Sequence, residues 1–378
     1  MNFELDQDQQ MLADSVRRYL ADNYDFESRK KIIASPEGFN EQTWAAFAET
    51  GLLGLAFSEE HGGFGGTAVG MMSVMEALGE FLVVEPFLPT VMASRLVAKL
   101  GSAEQRDAVI PGVIDGQTKM ALAHSEGPAR FNIAYVGARA ERTGAGWTLS
   151  GAKQVVCGGS VADRFVISAR TSGNTTGTDG ISLFLVDANA PGLKRTAYRT
   201  LDNQRAADLV FDRLELDADA LLGTEGGGFA VLEETIDFGI AMLCAEAAGA
   251  VRSANDDTLE YIKTRKQFGQ PIGSFQALQH RMVDMFVTQE QLKSMQYLVC
   301  SRIDTAPTPR ERSRVASAAK IKTADSCRHI SQESVQLHGG MGMTEELKVS
   351  HTFRRLTIIS QQLGDADYHL QRFAQLSN

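Results

Sequence analysis

The sequence contains no apolar run approaching the roughly 18 residues needed to span a bilayer, so no transmembrane span is expected. It also lacks a basic excess. Its 37 Lys and Arg stand against 47 Asp and Glu, a net charge of −10, and so small a share of cations argues against a nucleic-acid-binding surface. Cysteine is scarce: Cys157, Cys244, Cys300 and Cys327 are scattered without CxxC spacing. They read as free thiols in a reducing compartment, and no metal site is expected. The opening MNFELDQDQQ has neither the basic start nor the apolar core of a signal peptide, and a cytoplasmic location is the expectation. With 7% aromatics, nine prolines and 43% hydrophobic residues, what remains is an ordinary helix-leaning composition.

The 378 residues are too many for one ordinary core, so two or three packed subdomains are expected. Residues 1–118 read as an N-terminal helical domain. Asp6 and Gln9 have the spacing of a capping box, and Met11, Leu12, Val16, Tyr19 and Leu20 then recur at helical intervals. Trp44, Phe47 and Ala48 mark a further helix closed near Gly51. The glycine-rich run from Glu59 to Gly66 has no Gly-Lys-Ser/Thr after it and no strand before it. It is therefore no P-loop, and reads as a tight interhelical loop.

The period changes over residues 119–226. Short, often alternating segments (119–124, 134–141, 147–150, 164–168, 181–188 and 208–216) are broken by Gly, Asn, Asp and Pro, which predicts a central antiparallel β domain. Residues 171–179 read as a polar hairpin tip or a flexible loop. Over residues 227–378 the helical pattern returns as a C-terminal four-helix bundle. One uninterrupted run to Lys266 would measure roughly 60 Å at 1.5 Å per residue, with antiparallel partners near 275–302 and 310–337 parted at Pro307 and Pro309. The fold class is thus α+β, mainly α.

Two stretches carry the chemistry. RKQFGQPIGSFQ, from Arg265 to Gln276, joins two long helices and gathers a cation, an aromatic, two glycines and an amide. Arg, amide and backbone N–H groups at a helix junction suit a pyrophosphate or a nucleotide edge, and a plain turn broken at Gly269, Pro271 and Gly273 is the other reading. The second stretch, Gln336-Leu337-His338-Gly339-Gly340-Met341-Gly342, ends another helix. Together they resemble the acyl-CoA dehydrogenase flavoproteins, and the resemblance runs from the first helix nearly to the last residue.

That resemblance implies FAD as cofactor and α,β-dehydrogenation of an acyl-CoA thioester, of medium-chain, dicarboxylic or steroid-derived type. An electron-transfer flavoprotein or similar acceptor would take the electrons, in a dimer or tetramer that is homo- or hetero-oligomeric. The first stretch would reach the FAD of a neighbouring subunit and the second would lie along the pyrophosphate and adenosine. The residues implied are Arg265, Phe268, Gln276, Gln336, Gly339 and Gly340, with His338 either a ligand or a packed helix-end histidine. In the β domain, Leu122, His124 and Ser125 fall where family members contact the flavin. Val155 and Cys157 fall in place of a Trp and a Thr beside the ring. A redox thiol at Cys157 is an alternative there, but no Lys, Arg or His adjoins it in sequence, which favours a small buried hydrophobe.

The family's base does not carry over. Leu363 stands at its commonest Glu position and Gly239 at the second one, and a leucine abstracts no proton. Asp237 lies two residues from the latter, about 200° round a helix. Asp365 lies two residues past Leu363 and is a candidate for a residual catalytic base, with the N-cap of the last helix as its stronger reading. The runs 344–346, 353–356 and 363–369 resemble the small-subunit branch, which includes pimeloyl-CoA dehydrogenase small subunits and paired steroid side-chain enzymes. That resemblance implies a partner subunit that provides the base. The alternative is a scaffold subunit that is itself without catalysis.

Overall fold

The computed structural model describes residues 7–144 and 146–377; Asp6, the proposed cap, lies outside them. Six helices come first: α1 (Gln7–Asn23), α2 (Phe26–Ala34), α3 (Glu41–Glu49), α4 (Ala68–Glu80), α5 (Phe87–Leu100) and α6 (Ala103–Ile114). Their starts are fixed locally. The Asn40 side chain accepts from the backbone of Gln42 and Thr43 at α3, Thr67 accepts from Gly70 at α4, and Ser102 with Gln105 forms a reciprocal capping box at α6.

Eight strands follow: β1 (Met120–Ala123), β2 (Arg139–Arg142), β3 (Gly146–Cys157), β4 (Arg164–Arg170), β5 (Ile181–Asp187), β6 (Leu193–Arg199), β7 (Arg205–Asp217) and β8 (Leu221–Leu222). They form one sheet in the order β6-β7-β3-β2-β4-β5-β8, with β1 also paired to β4. The sheet is antiparallel except where β1 and, at one residue pair, β2 run parallel to β4. The expected strand from 134 shortens to β2, because residues 134–138 serve as acceptors for Arg170. Its guanidinium donates to the carbonyls of Ala134, Val136, Thr175, Gly177 and Asp179, which also orders the polar β4–β5 tip. The strand β6 is absent from the expected segments, since LKRTAYR carries little apolar alternation and lies mostly exposed.

The C-terminal part holds α7 (Phe229–Thr264), a two-stranded hairpin of β9 (Lys266–Gln267) and β10 (Gln270–Pro271), then α8 (Gln276–Ile303), α9 (Pro309–His338), α10 (Lys348–Gln361) and α11 (Ala366–Ser377). The 36 residues of α7 span about 54 Å. Near its start Asp237 bonds Arg312 and Ser313 at the start of α9, and near its end Tyr261 stacks on His338 at the end of α9. Hence α9 runs parallel to α7, not antiparallel as the sequence suggested. With short turns on either side of α8, the third helix of an up-down-up set must regain the direction of the first. Pro309 sits at the first position of α9, where its missing N–H costs nothing.

The chain packs as two compact units, one of residues up to 31, 67–83 and 237 onward, the other of 32–66 and 84–236. In the first, α4 and α7 approach closely. A Cβ on Gly79 would collide with the Glu246 carbonyl, and one on Gly249 would collide with that of Glu76, so both crossings demand glycine. In the second, Trp147, Leu149, Phe165, Phe184, Leu209 and Phe211 centre the sheet's core. The glycine-rich run at 59–66 closes within this unit as a tight loop, where a Cβ on Gly63 would run into the carbonyls of Gly54 and Phe57.

Candidate functional site

The residues marked out by sequence fall into two groups, one in each unit. In the sheet unit, β1 ends at Ala123 and the chain runs on through His124, Ser125 and Glu126, while β3 carries residues 153–157 alongside. The amide of Gln154 donates to the Ser125 carbonyl at 2.8 Å, so the segments around Leu122–Ser125 and Val155–Cys157 are brought together. Leu122 is half-buried in β1 and Ser125 is exposed.

Beneath them lies a buried polar cluster. Lys153 is wholly buried, and its Nζ donates to Glu126 Oε1 at 2.7 Å, Ser168 Oγ at 3.0 Å and the His124 carbonyl at 3.3 Å. Glu126 in turn accepts from the amides of Gly137 and Ala138. Every proton of the ammonium therefore has an acceptor, which is the condition for keeping a charge out of water. Burial still lowers the Lys153 pKa to about 8, against the opposing pull of Glu126. His124 Nδ1 lies 2.9 Å from Ser168 Oγ, and burial, then the lysine charge, press its pKa down to about 3. The imidazole is neutral, and Ser168, accepting from Lys153, is left to donate to it.

Sequence reading passed over Lys153, although a signal was present. In β3 it falls in the same alternation phase as Trp147 and Leu149, and a lysine on the core face calls for a buried partner. Val155 is a second surprise, being 55% exposed with φ of +52°, a conformation β-branched residues rarely take. Cys157 is half-exposed rather than buried, with its Sγ 3.8 Å from the Val155 carbonyl, because it closes the strand where the core ends. All four cysteines are thiols outside any disulfide.

In the helical unit, the Arg265–Gln276 stretch forms the β9–β10 hairpin. Phe268 and Gly269 turn it with φ of +54° and +80°, as a two-residue hairpin of the primed type requires. Arg265 and Gln276 are exposed, and Phe268 is 89% exposed, touching Phe275 edge-on. At the end of α9, His338 is buried. Its Nδ1 meets the Ser334 carbonyl at 2.7 Å and its ring stacks on Tyr261 at 4.3 Å, as a packed helix-end histidine does. That stack joins the end of α9 to the last turn of α7, so the two motif-bearing helix ends meet within one chain. Gln336, two residues before His338, and Gly339 and Gly340, just after it, are exposed. Around Gly269, Gly339 and Gly340 no described atom comes within 4 Å of where a Cβ would stand.

Both family base positions and their neighbouring carboxylates also lie in this unit. Gly239 is buried inside α7. Asp237 is buried and engaged, with Arg312 Nε at 3.0 Å, Ser313 Oγ at 2.7 Å and Arg372 Nη1 at 2.8 Å. Asp365 accepts from the Tyr368 amide at 2.8 Å at the start of α11. Leu363 has φ of +59°, and its carbonyl accepts from His369 Nε2 at 2.9 Å. Burial lowers the pKa of His369 to about 3. Sequence reading also missed the Glu246–Arg355 pair, buried and joined twice at 2.5 and 2.7 Å, although Glu246 is the lone charge in the apolar run from Phe238 to Val251. Among the described residues no group of three or more His, Cys, Asp or Glu side chains could hold a metal, and no helix is long and apolar enough to cross a membrane.

Two of the suppressed histidines, His124 and His369, contribute most to an acid limit. Both folded pKa values lie below the unfolded 6.5, so as pH falls the unfolded chain takes up protons first. Stability that is complete above about 6.5 is lost progressively towards 3. At pH 5 the loss is about 2 kcal/mol for each histidine. Thermal melts at pH 7 and pH 5 should therefore differ by several degrees, and His369→Gln should narrow that difference.

Comparison with known proteins bears on all of these segments. Three family models match: acyl-CoA dehydrogenase N-terminal domain over residues 6–117, middle domain over 121–214 and C-terminal domain over 226–376. Among solved structures, a single-residue variant of the Tcur3481-Tcur3483 steroid ACAD is 30% identical, covers 98% of this chain and 97% of its own, and superposes with a TM-score of 0.87. The ChsE4-ChsE5 complex from Mycobacterium tuberculosis is 25% identical over 99% of this chain and 98% of its own, with a TM-score of 0.89. An FAD complex of PigA is 25% identical at the same coverages, with a TM-score of 0.90. With helical N-terminal and C-terminal parts about a central sheet, and models matched over all three, the chain belongs to the acyl-CoA dehydrogenase family.

Proposed function

We propose that this chain is an FAD-binding subunit of a heteromeric acyl-CoA dehydrogenase, paired with a related subunit that contributes the catalytic base. The observation that carries the reading is the state of the carboxylates near the family's two base positions. A leucine occupies one position, in a turn, and a glycine the other, inside α7. Asp237 is clasped by two arginines, and Asp365 accepts from a helix-start amide. A base must reach the substrate's α-proton, and a carboxylate already held inside a buried charge cluster does not.

Support for the flavin comes from residues whose identity the isolated fold does not require. Gly340 has neither a positive φ nor a neighbour within 4 Å, so a larger residue would fit the chain itself. A phosphate approaching the backbone is what a Cβ there would obstruct. Phe268 is an aromatic left outside every core, and Arg265 stands exposed in the same stretch. On this reading each unit supplies its own group of contacts: Arg265, Gln276, Gln336, Gly339 and Gly340 serve a dinucleotide's diphosphate and adenosine, and Leu122, His124, Ser125, Val155 and Cys157 serve its ring. A bound flavin would supply the acceptor for the hydride of the acyl group's β-carbon. The protein's own part is to hold the ring and the thioester in register and keep water away.

The pairing draws support from ChsE4-ChsE5, a complex of two named chains, and the steroid designation of the 30% identical structure favours a ring-bearing acyl group over a straight chain. Electrons would leave to an electron-transfer flavoprotein or a similar acceptor. Co-expression with a related subunit should raise FAD content and produce dehydrogenation that this chain alone lacks. In that complex, Arg265→Ala removes a charged contact of about 1.5–3 kcal/mol, so FAD should bind roughly 10- to 150-fold more weakly. Full FAD content in that variant at limiting cofactor would sink the role given to Arg265. A complex that never holds FAD would leave the scaffold reading in its place.

A further inference from the structure

Resting on the flavin reading above, we infer that Asp208 is a positioning residue: it fixes a strained two-residue bulge of β3, Gln154–Val155, as the shelf against which the flavin ring lies. The ladder between β3 and β7 pairs Lys153 with Leu209 and Val156 with Ala207. Two residues of β3 therefore oppose one of β7, and that one is Asp208. The extra residue leaves an N–H without a ladder partner. Asp208 supplies the acceptor from its side chain, with Oδ1 2.9 Å from the Val155 amide. The same oxygen accepts from the Tyr198 hydroxyl at 2.9 Å.

Aspartate is a poor strand former, and β7 is flanked on both sides by β6 and β3. Its presence there is explained by the two donors it serves, the orphan amide of Val155 and the Tyr198 hydroxyl of β6. Burial and the neighbouring carboxylate push the Tyr198 phenol up to about 12, so it stays a donor throughout the working range.

The bulge changes what β3 shows on its surface. Lys153 and Val156 are buried while Gln154 and Val155 are both exposed, whereas a regular strand would alternate. Two consecutive outward residues make a flat step. Val155 has a left-handed φ of +52° and remains 55% exposed, so no packing of its side chain compensates the strain. Such a conformation persists only where its surroundings over-determine it, and it marks sites that need a particular shape. Here the restraints come from three directions. They are Asp208 at Val155, the Ser125 carbonyl at Gln154, and the three acceptors that pin Lys153. The anchors tie the step to residues 124–126, the other segment assigned to the ring.

The test uses the full chain, with its partner subunit where FAD binding requires one. Asp208→Ala should weaken FAD about tenfold or more and shift the bound flavin's reduction potential. Asp208→Asn should restore both, since the amide oxygen still accepts from Val155. Should Asp208→Ala fold poorly, Tyr198→Phe removes one of the two bonds on Oδ1. It should weaken FAD a few-fold while amide exchange quickens at 154–156 and not along the rest of β7. Wild-type affinity and potential in Asp208→Ala, or unchanged exchange at 154–156 in Tyr198→Phe, would overturn the inference and leave the flavin reading standing. Failure of the wild-type assembly to bind FAD at all would remove both.

Discussion

Leu363→Glu is expected to give this chain a dehydrogenase activity of its own, raising α,β-dehydrogenation of an acyl-CoA thioester by about 10²–10⁴-fold, the usual contribution of a positioned general base. The turn is held through main-chain groups. Lys320, wholly buried, donates to the carbonyls of Ile359 and Ser360 at 2.8 and 3.1 Å and so caps the end of α10. His369 holds the Leu363 carbonyl, and Asp365 starts α11 two residues later. The backbone at 363 already sits at φ +59° with a non-glycine residue, so glutamate adds no new conformational cost. The variant should melt close to wild type and retain its FAD. Turnover followed with an artificial acceptor, in the flavin-loaded protein without its partner, is the measurement. A folded, flavin-loaded variant that stays at background would show that this turn does not face the substrate's α-carbon.

How far the sequence anticipated the structure depended on the range of the interaction. α8 and α9 were expected near 275–302 and 310–337 and form at Gln276–Ile303 and Pro309–His338, because apolar periodicity and the Pro307–Pro309 punctuation are local signals. The Asp365 cap was legible for the same reason. Direction was not: α9 lies parallel to α7 through contacts between residues 75 and 77 positions apart, which no window of sequence contains. The bulge at Gln154–Val155 was hidden too, since its cause is a carboxylate 53 positions further on. Lys153 and Glu246 could have been found as single charges on apolar faces. Their partners could not, because Ser168 and Arg355 look like ordinary surface polar residues until the chain folds. The β6 strand was missed where exposure on most of its length erased the alternation on which strand recognition relies.

The second large effect concerns stability. Asp237→Ala should destabilise the helical unit by about 3–5 kcal/mol. Asp237 is fully buried, and its oxygens receive Arg312, Arg372 and Ser313 from α9 and α11. Alanine would remove the carboxylate that two largely buried guanidiniums share, and the cost is that of keeping those charges buried without it more than of the lost bonds. At roughly 2–4 °C per kcal/mol for a chain of a few hundred residues, the melting temperature should fall by about 6–20 °C. A base displaced by two residues would behave differently, with activity abolished and melting unchanged. The same logic predicts a rescue. Replacing Arg312 and Arg372 by methionine in the Asp237→Leu background should regain most of the loss, because a buried charge cluster exchanged whole for apolar side chains of similar volume is often neutral. If instead the triple replacement melts as low as Asp237→Ala, the cluster fixes how α9 and α11 seat on α7, through the directionality of its bonds rather than the balance of its charges.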